Sequence, residues 1–542
     1  MSTRDKQRKR KKTRPHGDAS PKARAREADR PREPLPTPEE EGALRRGAAR
    51  LAGAIGALSL VRLYAMRQVG FGDSEALYAS YAHFPQPAYL DHPGLVGVIT
   101  RALGGGGAPS PNAAHALTTC LLAVLPWVGL AAARGVGAST RAAFAMAWLM
   151  VLTPEIAVGL FGLTPDVPLA FAWLGALGLA GAWLSGDPGS RPRAAGAVLA
   201  GLLAGVATVS KASGLLLFPV LLVPYLHKDA RRHARTPWPW LGLAAGALVV
   251  APAALHEARS GWPLFVHRLV STQGGAGASL RNAGALVGGQ LLYVSPVLAV
   301  LGALVARAIV RRRRDTPVDA LLFGALVVPG VAIGAFCLWS RVAEPHWIAP
   351  AWLPLGLAYA RHPMFAGSRL RIREVALAVA GLATAAVHAW VLLPQAARLR
   401  PDGTDARYDI ANELYGWPAA IEHVAQLAAE ERSPADPDGR DFVVVGPHWT
   451  VCAQLRAGLP RTIRVGCMTP IRDDFDDWEP RAGWRRAERI VFVSDNRFGT
   501  EPPEPLPGHA HGTDSRVSFF RGGRPVRTFT FRIYERRAHA AR

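Results

Sequence analysis

The sequence predicts a polytopic α-helical membrane protein of about 11 transmembrane helices, followed by a C-terminal α/β domain outside the cytoplasm. Of its 542 residues, 49% are hydrophobic and only 19% are charged. The apolar residues form continuous uncharged blocks of about 18–25 residues, the length that carries a helix across a ~30 Å hydrocarbon layer. Continuous rather than alternating blocks favour helices over a closed barrel. Lys and Arg concentrate in alternate connections between the blocks, as they do in polytopic proteins.

The N-terminal segment, residues 1–45, mixes Lys and Arg with Pro and Glu and contains few apolar residues. This composition predicts a disordered cytoplasmic tail that contacts anionic lipid headgroups. It lacks the apolar stretch of a signal peptide, so no cleaved leader is expected. The formal net charge of +22 would also suit a nucleic-acid-binding protein. No aromatic or motif residue accompanies the charge, however, so nucleic acid is not expected as a partner.

Residues 46–395 are predicted to form the transmembrane domain. We place its eleven spans at 48–68, 113–133, 142–160, 167–185, 194–210, 212–226, 239–257, 285–308, 318–339, 347–361 and 374–394. Arg62 interrupts the first span, and tight polar turns join the third span to the fourth and the fifth to the sixth.

The cationic connections are expected on the cytoplasmic side. They are the N-terminal tail, 134–141, 185–193, 227–236, 311–317 and 360–373. The remaining connections then face outwards, namely a long first outer loop at 69–112, the turns at Thr164–Asp166 and Lys211, and the loops at 258–284 and 340–346. With an odd number of spans, the N-terminus is cytoplasmic and the C-terminal region is outside.

Residues 396–542 are predicted to form one extracytoplasmic α/β domain. An amphipathic helix precedes the strand-like segments DFVVVG (441–446) and RIVFVSD (489–495), and VRTFTFRIYER (526–536) alternates like an edge strand. No glycine-rich nucleotide motif is present. Cys452 and Cys467 lie here, and in an oxidising compartment either a disulfide or two free thiols remains open. Cys120 and Cys337, in apolar blocks, are expected to be small core residues.

Polar residues without an obvious role in solubility gather on the predicted outer side. They are Asp73, Glu75, Asp91, His92, Asp166, Lys211, Arg341, Glu344 and His346. Five of them have a simpler explanation: Asp73 and Glu75 can solvate a loop, Asp166 can cap a helix, the Lys211 side chain can extend to the membrane interface, and His346 can belong to an aromatic belt. Their shared side favours a site. Carboxylates near the membrane surface suit a general base, and nearby cations suit an anionic leaving group such as phosphate.

Several segments carry a family resemblance. They are GDSEALYASYA (72–82), YLDHPGLVG (89–97), LTPDVPLAFAW (163–173), SKASGLLLFP (210–219), GGQLLYVSP (288–296) and EPHWIAPAWLPL (344–355). With these segments in this order, the chain resembles the dolichyl-phosphate-mannose–protein mannosyltransferase family of GT-C glycosyltransferases. The similarity is to the bacterial branch that includes the lipid A aminoarabinose transferases.

The resemblance implies a GT-C-like fold and an inverting glycosyltransferase in the bacterial cytoplasmic (inner) membrane, with the C-terminal domain in the periplasm. It implies transfer of a sugar from a polyprenyl-phosphate donor to a hydroxyl of a lipid, glycan or protein acceptor. The C-terminal domain is then expected to cover the cavity or to contact the acceptor. The sequence does not identify the sugar or the acceptor.

The resemblance also implies roles for single residues. The family's Asp-Glu pair matches Asp73 and Glu75, with Asp73 expected as the catalytic base and Glu75 as the alternative. Asp166 matches the second catalytic acid in the cavity. The expected substrate-binding residues are Asp91, His92, Lys211, Arg341 and His346, of which Lys211 and His346 are assigned to the donor phosphate.

Whether a divalent metal ion is needed remains open in the sequence. Segment 262–277 places His267 out of register with the metal-binding histidine of the aminoarabinose transferases. The acids Asp473, Asp474, Asp476 and Asp477 suit a cation site less well than a solvated turn. Two rival functions also remain: a transporter or flippase of a lipid-linked glycan, and a non-catalytic anchor for the outer domain. A transporter would need charged groups through the bilayer midplane, whereas the acids here cluster at one interface.

Overall fold

The computed structural model describes residues 37–362, 370–401, 405, 409–430 and 442–537. Residues 1–36 of the predicted tail (1–45) and residues 363–369 of the predicted loop at 360–373 lie outside these residues. Two units are distinguished, Met1–Arg50 and Leu51–Arg542. In the first, Thr37 and Glu40 cap the start of a helix reciprocally: the Glu40 N–H donates to Thr37 Oγ1 (3.2 Å), and the Thr37 N–H donates to Glu40 Oε2 (2.9 Å).

Helices make up most of the described chain before residue 400. In chain order they are α1 (Pro38–Ala65), α2 (Asp73–Ser80), α3 (Leu95–Leu103), α4 (Pro111–Gly135), α5 (Thr140–Leu152), α6 (Pro154–Ala157), α7 (Asp166–Leu184), α8 (Arg191–Ser210), α9 (Leu217–Leu222), α10 (Arg231–Ala234), α11 (Trp238–Arg259), α12 (Pro263–Val266), α13 (Leu280–Tyr293), α14 (Pro296–Arg312), α15 (Pro317–Trp339), α16 (Leu353–Arg361) and α17 (Leu370–Leu392).

Seven helices of the described chain are long and apolar enough to cross a membrane: α1, α4, α7, α8, α11, α15 and α17. The bent pair α13 and α14 makes an eighth if it counts as one span. This architecture confirms a polytopic helical membrane protein. The predicted number of eleven spans is not confirmed.

The differences from the predicted spans have local causes. The segment expected at 142–160 is cut at Thr153, because Pro154 removes a helical N–H, and α5 is left with 13 residues. The segment expected at 285–308 bends by 106° between α13 and α14, where Ser295 has a φ of 95° and Pro296 starts the next helix. The segments expected at 212–226 and 347–361 contain short 3₁₀ and α-helical pieces instead of long helices.

Small residues hold the spans together. On α8, Gly201 and Gly205 face Gly242 and Gly246 on α11, and a Cβ atom added at Gly201 would lie 2.1 Å from the Gly242 carbonyl carbon. Such spacing lets two helix backbones pack closely in lipid. Because α8 also packs on α7, the beginning of α7 and the end of α8 are fixed side by side, and the site described below lies there.

The C-terminal region contains α18 (Trp417–Glu430), β1 (Phe442–Gly446), α19 (Trp449–Gly458), β2 (Arg464–Cys467), α20 (Asp474–Trp478), α21 (Arg481–Trp484), β3 (Arg489–Asp495), β4 (His509–Arg521) and β5 (Arg524–Arg536). The described strands form a mixed sheet in the order β2-β1-β3-β5-β4. The first three strands are parallel, and β5 pairs antiparallel with β3 and β4. The predicted α/β domain is confirmed, and its exact boundaries stay predictions.

A disulfide joins Cys452 on α19 to Cys467 at the end of β2, with the Cα atoms 5.9 Å apart. Both cysteines are buried in a core formed with β1 and β3. The disulfide therefore fixes the start of α19 relative to the segment that follows β2, and both segments reach the site.

The C-terminal domain rests on the first outer loop through buried polar contacts. Gln454 donates to the Phe71 carbonyl oxygen (2.8 Å) and to Asp73 Oδ1 (3.2 Å). Asp474 accepts hydrogen bonds from the Leu90 N–H (3.0 Å) and the Tyr81 hydroxyl (3.2 Å). These contacts hold the loop that carries the first predicted site residues against the sheet domain.

Candidate active site

A cavity of about 1020 Å³ opens where one end of several spans, the segment predicted as the first outer loop (69–112) and the C-terminal domain meet. Its polar end is lined by Asp91, His92, Asp166, Lys211, Arg268 and His346. Its apolar part continues between the helices along Leu125, Met150, Leu169, Trp173, Leu298 and Val305. The cavity therefore has two parts: the charged end, which we call the chamber, and an apolar channel that continues from it between the helices.

The first ion pair of the chamber joins Asp166 and Lys211. Asp166 begins α7 and Lys211 directly follows α8, and because these helices are antiparallel neighbours their adjoining ends place the two side chains together. Lys211 Nζ lies 2.8 Å from Asp166 Oδ1 and 2.9 Å from Oδ2. The lysine side chain is 9% exposed and the aspartate 23%. A buried charge needs such a partner, so each side chain holds the other in the chamber.

The second ion pair joins Asp91, in the first outer loop, to Arg268. Arg268 Nη2 lies 2.8 Å from Asp91 Oδ1, and His267 Nε2 lies 3.6 Å from the same oxygen. Burial alone would raise the pKa of Asp91, but Arg268 and the two neighbouring histidines hold it well below its ordinary value. Asp91 is therefore a weak base as long as Arg268 stays paired with it.

The ring of Trp347 lies close to both cations. Lys211 Nζ is 5.8 Å and Arg268 Cζ 5.5 Å from the centroid of its ring, within the range of cation–π attraction. Beside it, His346 Nδ1 lies 3.1 Å from Glu344 Oε2. The indole thus keeps two positive groups from different elements on one small surface.

His92 contributes a neutral imidazole. Burial, with smaller effects of Arg268 and Lys211, lowers the pKa of His92 to about 3. Its ring packs edge-on against Tyr78, with the centroids 5.3 Å apart. Near pH 7 this side chain can donate or accept hydrogen bonds, but it has no positive charge that would attract a phosphate group.

Asp73 and Glu75 do not appear among the residues that line the cavity, although Ser74 between them does. Asp73 is buried and forms an ion pair with Arg497 of the C-terminal domain. Glu75 accepts a hydrogen bond from the Leu163 N–H (2.8 Å) and lies 3.0 Å from His115 Nε2. These carboxylates contact protein groups rather than the chamber, so the role of Asp73 as base stays a prediction.

Arg341 also lies apart from the cavity lining. Its N–H donates to Gln273 Oε1 (3.0 Å), and its guanidinium donates to the Gly274 carbonyl oxygen (2.9 Å). The contacts join the two loops predicted at 258–284 and 340–346. Of the residues predicted to bind substrate, the structure thus brings together Asp91, His92, Lys211 and His346, with Asp166 beside them.

In the described part of the chain, no group of three or more His, Cys, Asp or Glu side chains is arranged to hold a metal ion. In the chamber, Asp91 and Asp166 are each occupied by a cationic side chain. The acids near 473 cap the helix α20 and pair with arginines: Asp473 forms a capping box with Asp476, and Asp477 contacts Arg472.

Sequence reasoning missed several residues that line the cavity. Arg268 and Glu155 are single charges within apolar surroundings, a signal that could have identified both. His267, judged out of register, lies beside Asp91. The C-terminal domain adds Asp473, considered from the sequence only as a cation ligand, together with His448, Trp449, Thr469 and Ile471. No local pattern marks these last residues, because only the docking of the two domains brings them to the cavity.

The fold and the site define a class of protein, the polytopic membrane proteins of GT-C-like architecture. A family model described as dolichyl-phosphate-mannose-protein mannosyltransferase matches residues 110–256, which confirms the resemblance predicted from the sequence. The match covers α4 through most of α11, and so includes Asp166 and Lys211. A search of curated proteins gives no match.

Among solved structures, ArnT from Cupriavidus metallidurans bound to undecaprenyl phosphate is 16% identical, with a TM-score of 0.53 over 88% of this chain and 97% of that chain. AglB, the oligosaccharyltransferase from Archaeoglobus fulgidus in complex with an inhibitory peptide and a dolichol-phosphate, is 12% identical, with a TM-score of 0.47 over 82% of this chain and 69% of that chain. The protein O-mannosyltransferase Pmt1-Pmt2 complex of S. cerevisiae bound to the sugar donor is 15% identical, with a TM-score of 0.33 over 40% and 34%. At this identity the likeness to ArnT shows the fold.

Proposed function

We propose that the chain is an inverting glycosyltransferase. It moves a sugar from a polyprenyl-phosphate donor to an acceptor hydroxyl on the periplasmic face of the bacterial cytoplasmic membrane. The observation that carries the proposal is the two-part cavity, with cation–carboxylate pairs at one end and an apolar channel at the other. A polyprenyl-phosphate sugar has the same two parts, and the ArnT structure of similar fold holds undecaprenyl phosphate.

The apolar channel suits the prenyl chain. On α7, the residues that line the cavity run from Asp166 to Trp173, which is about 10 Å along a helix axis. Leu298 and Val305 on α14 cover a similar length. A flexible hydrocarbon chain can bury its surface here without leaving the membrane, and its phosphate then lies beside the ion pairs.

The two cations suit the phosphate that leaves. In the transition state negative charge grows on the phosphate oxygens, and prepositioned positive groups stabilise it. Lys211 and Arg268 lie on one surface around Trp347, with His346 next in sequence. Their carboxylate partners keep both cations in place while the donor is absent.

Asp91 suits the base. It takes the proton of the acceptor hydroxyl while the hydroxyl oxygen attacks the anomeric carbon. The bond from that carbon to the phosphate oxygen breaks on the opposite face, so the configuration inverts and polyprenyl phosphate leaves with the electron pair. When the donor phosphate draws Arg268 away, the pKa of Asp91 rises toward its ordinary value, which links base strength to donor binding.

Asp73 and Glu75 have supporting roles in this proposal. Glu75 holds the Leu163 N–H three residues before Asp166, so it positions the turn that delivers Asp166. Asp73 fastens the C-terminal domain through Arg497 and Gln454. The base predicted from the resemblance, Asp73, is tested by the same assay as Asp91.

The test is transfer by the full chain in proteoliposomes. These are supplied with polyprenyl-phosphate sugars extracted from bacterial membranes and with envelope lipids, glycans and proteins as acceptors. Mass spectrometry is expected to find free polyprenyl phosphate and glycosylated acceptor in equal amounts. Movement of intact donor across the bilayer without release of polyprenyl phosphate would support a transporter instead, and neither product would support a non-catalytic anchor.

A further inference from the structure

We propose that the C-terminal domain forms an acceptor subsite for an uncharged carbohydrate chain, built from His448, Trp449, Thr469, Ile471 and Asp473. The inference rests on the proposed function and names the class of acceptor for the same cavity. We call these five residues the C-terminal wall.

The C-terminal wall belongs to the same cavity as the donor chamber. Two short segments supply it: His448 and Trp449 at the start of α19, and residues 469–473 after β2. The Cys452–Cys467 disulfide joins these segments. The wall is therefore built on a cross-linked base rather than on free loops.

The wall is held close to the proposed base. Asp474, next to Asp473, accepts the hydrogen bond of the Leu90 N–H, and Leu90 directly precedes Asp91. Asp91, which lines the chamber, is thus tethered next to the wall, so a molecule lying on the wall would have its reactive end within reach of Asp91. Transfer requires donor, base and acceptor to lie this close together.

The charges of the wall disfavour an anionic acceptor. None of the C-terminal domain residues described as lining the cavity is Lys or Arg. Burial, together with Arg497, lowers the pKa of His448 to about 4, so the ring is neutral at pH 7. Burial raises the pKa of Asp473 to about 7, so this carboxyl is partly neutral as well.

The remaining chemistry of the wall suits hydroxyl groups and sugar rings. Nδ1 of His448 accepts the Thr450 N–H (3.4 Å), which leaves the proton of the neutral ring on Nε2 as a donor. Thr469 and Asp473 offer further donors and acceptors. The indole of Trp449, with its centroid 5.6 Å from that of His448, gives a flat aromatic surface for the C–H face of a sugar ring. A few polar groups around an aromatic surface are typical of a small-molecule site.

The experiment exposes the full chain in nanodiscs to an array of neutral oligosaccharides, sialylated and phosphorylated oligosaccharides, and serine- and threonine-containing peptides. Binding of undecaprenyl phosphate is measured on the same samples. We expect neutral oligosaccharides to bind, and Trp449→Ala to weaken this binding about tenfold with undecaprenyl phosphate binding unchanged.

Control variants separate binding from folding. Trp449→Phe keeps an aromatic surface and is expected to retain most of the binding. Phe520→Ala removes an exposed aromatic side chain that does not line the cavity and is expected to have no effect.

Preferential binding of anionic oligosaccharides or of peptides would overturn the subsite, as would the absence of any neutral oligosaccharide binding. An unchanged affinity in Trp449→Ala would overturn it too. If the wild-type chain did not bind undecaprenyl phosphate, that result would instead count against the proposed function. Failure of the acceptor subsite and failure of the proposed function are therefore distinguishable.

Discussion

Replacing Asp91 by Asn tests the proposed chemistry most directly. Asn has the same shape and keeps an acceptor oxygen toward Arg268, but it cannot take a proton. Arg268 contacts Oδ1, and no hydrogen bond to Oδ2 is found among the described residues, so an oxygen of Asp91 is left for the acceptor hydroxyl. A positioned general base contributes about 10²–10⁴-fold to a rate, or roughly 3–5 kcal/mol of activation free energy.

We therefore expect kcat of Asp91→Asn to fall by about 10²–10⁴-fold. Undecaprenyl phosphate should bind equally well or more tightly, because the charge of Arg268 is no longer neutralised. The assay is single-turnover transfer in proteoliposomes, with donor affinity measured separately. A rate within a factor of about three of the wild type would refute Asp91 as the base.

A matched control is Asp319→Asn. Asp319 also forms a buried pair with an arginine, Arg361, with Nε 3.1 Å from Oδ1, but neither residue lines the cavity. Breaking this pair should lower stability by a few kcal/mol without a selective loss of turnover. Equal losses of kcat in the two variants would show that the effect of Asp91→Asn comes from a broken ion pair.

Three further outcomes are expected. Lys211→Met should weaken undecaprenyl phosphate binding about 10–100-fold, because one charge-assisted contact is lost, as measured by native mass spectrometry. Asp73→Asn should loosen the C-terminal domain, because the buried Arg497 loses its partner, and limited proteolysis would detect this. Burial and Asp73 raise the pKa of Glu413 from 4.5 to about 7, so raising the pH from 4.5 to 7 should lower the free energy of unfolding by at most about 3 kcal/mol, measured by thermal unfolding.

Each of these has its own contrary result. Unchanged donor affinity in Lys211→Met would remove the lysine from the phosphate site, and the Lys211→Met/Asp166→Asn double variant checks that a lone buried Asp166 is not the cause. Lost transfer in Asp73→Asn with an unchanged proteolysis pattern would support Asp73 as the base. A pH dependence of unfolding that persists in Glu413→Gln would assign it to another group.

The sequence by itself determined the membrane class, the presence of a C-terminal α/β domain and several polar residues of the chamber. Block length and uncharged composition decide whether a helix can cross lipid, and such local properties are readable in order along the chain. A charged residue at the end of a span, such as Asp166 or Lys211, stands out because its burial needs a reason.

Only the tertiary structure decided which charges meet. Ion pairs between Asp91 and Arg268, or between Asp73 and Arg497, join residues 177 and 424 positions apart, and no local pattern specifies such contacts. In the first outer loop, the structure directs Asp73 and Glu75 toward protein partners and leaves Asp91 at the cavity. The physical reason is packing: the close approach of α7, α8 and α11 and the docking of the disulfide-linked domain select the side chains that share one chamber.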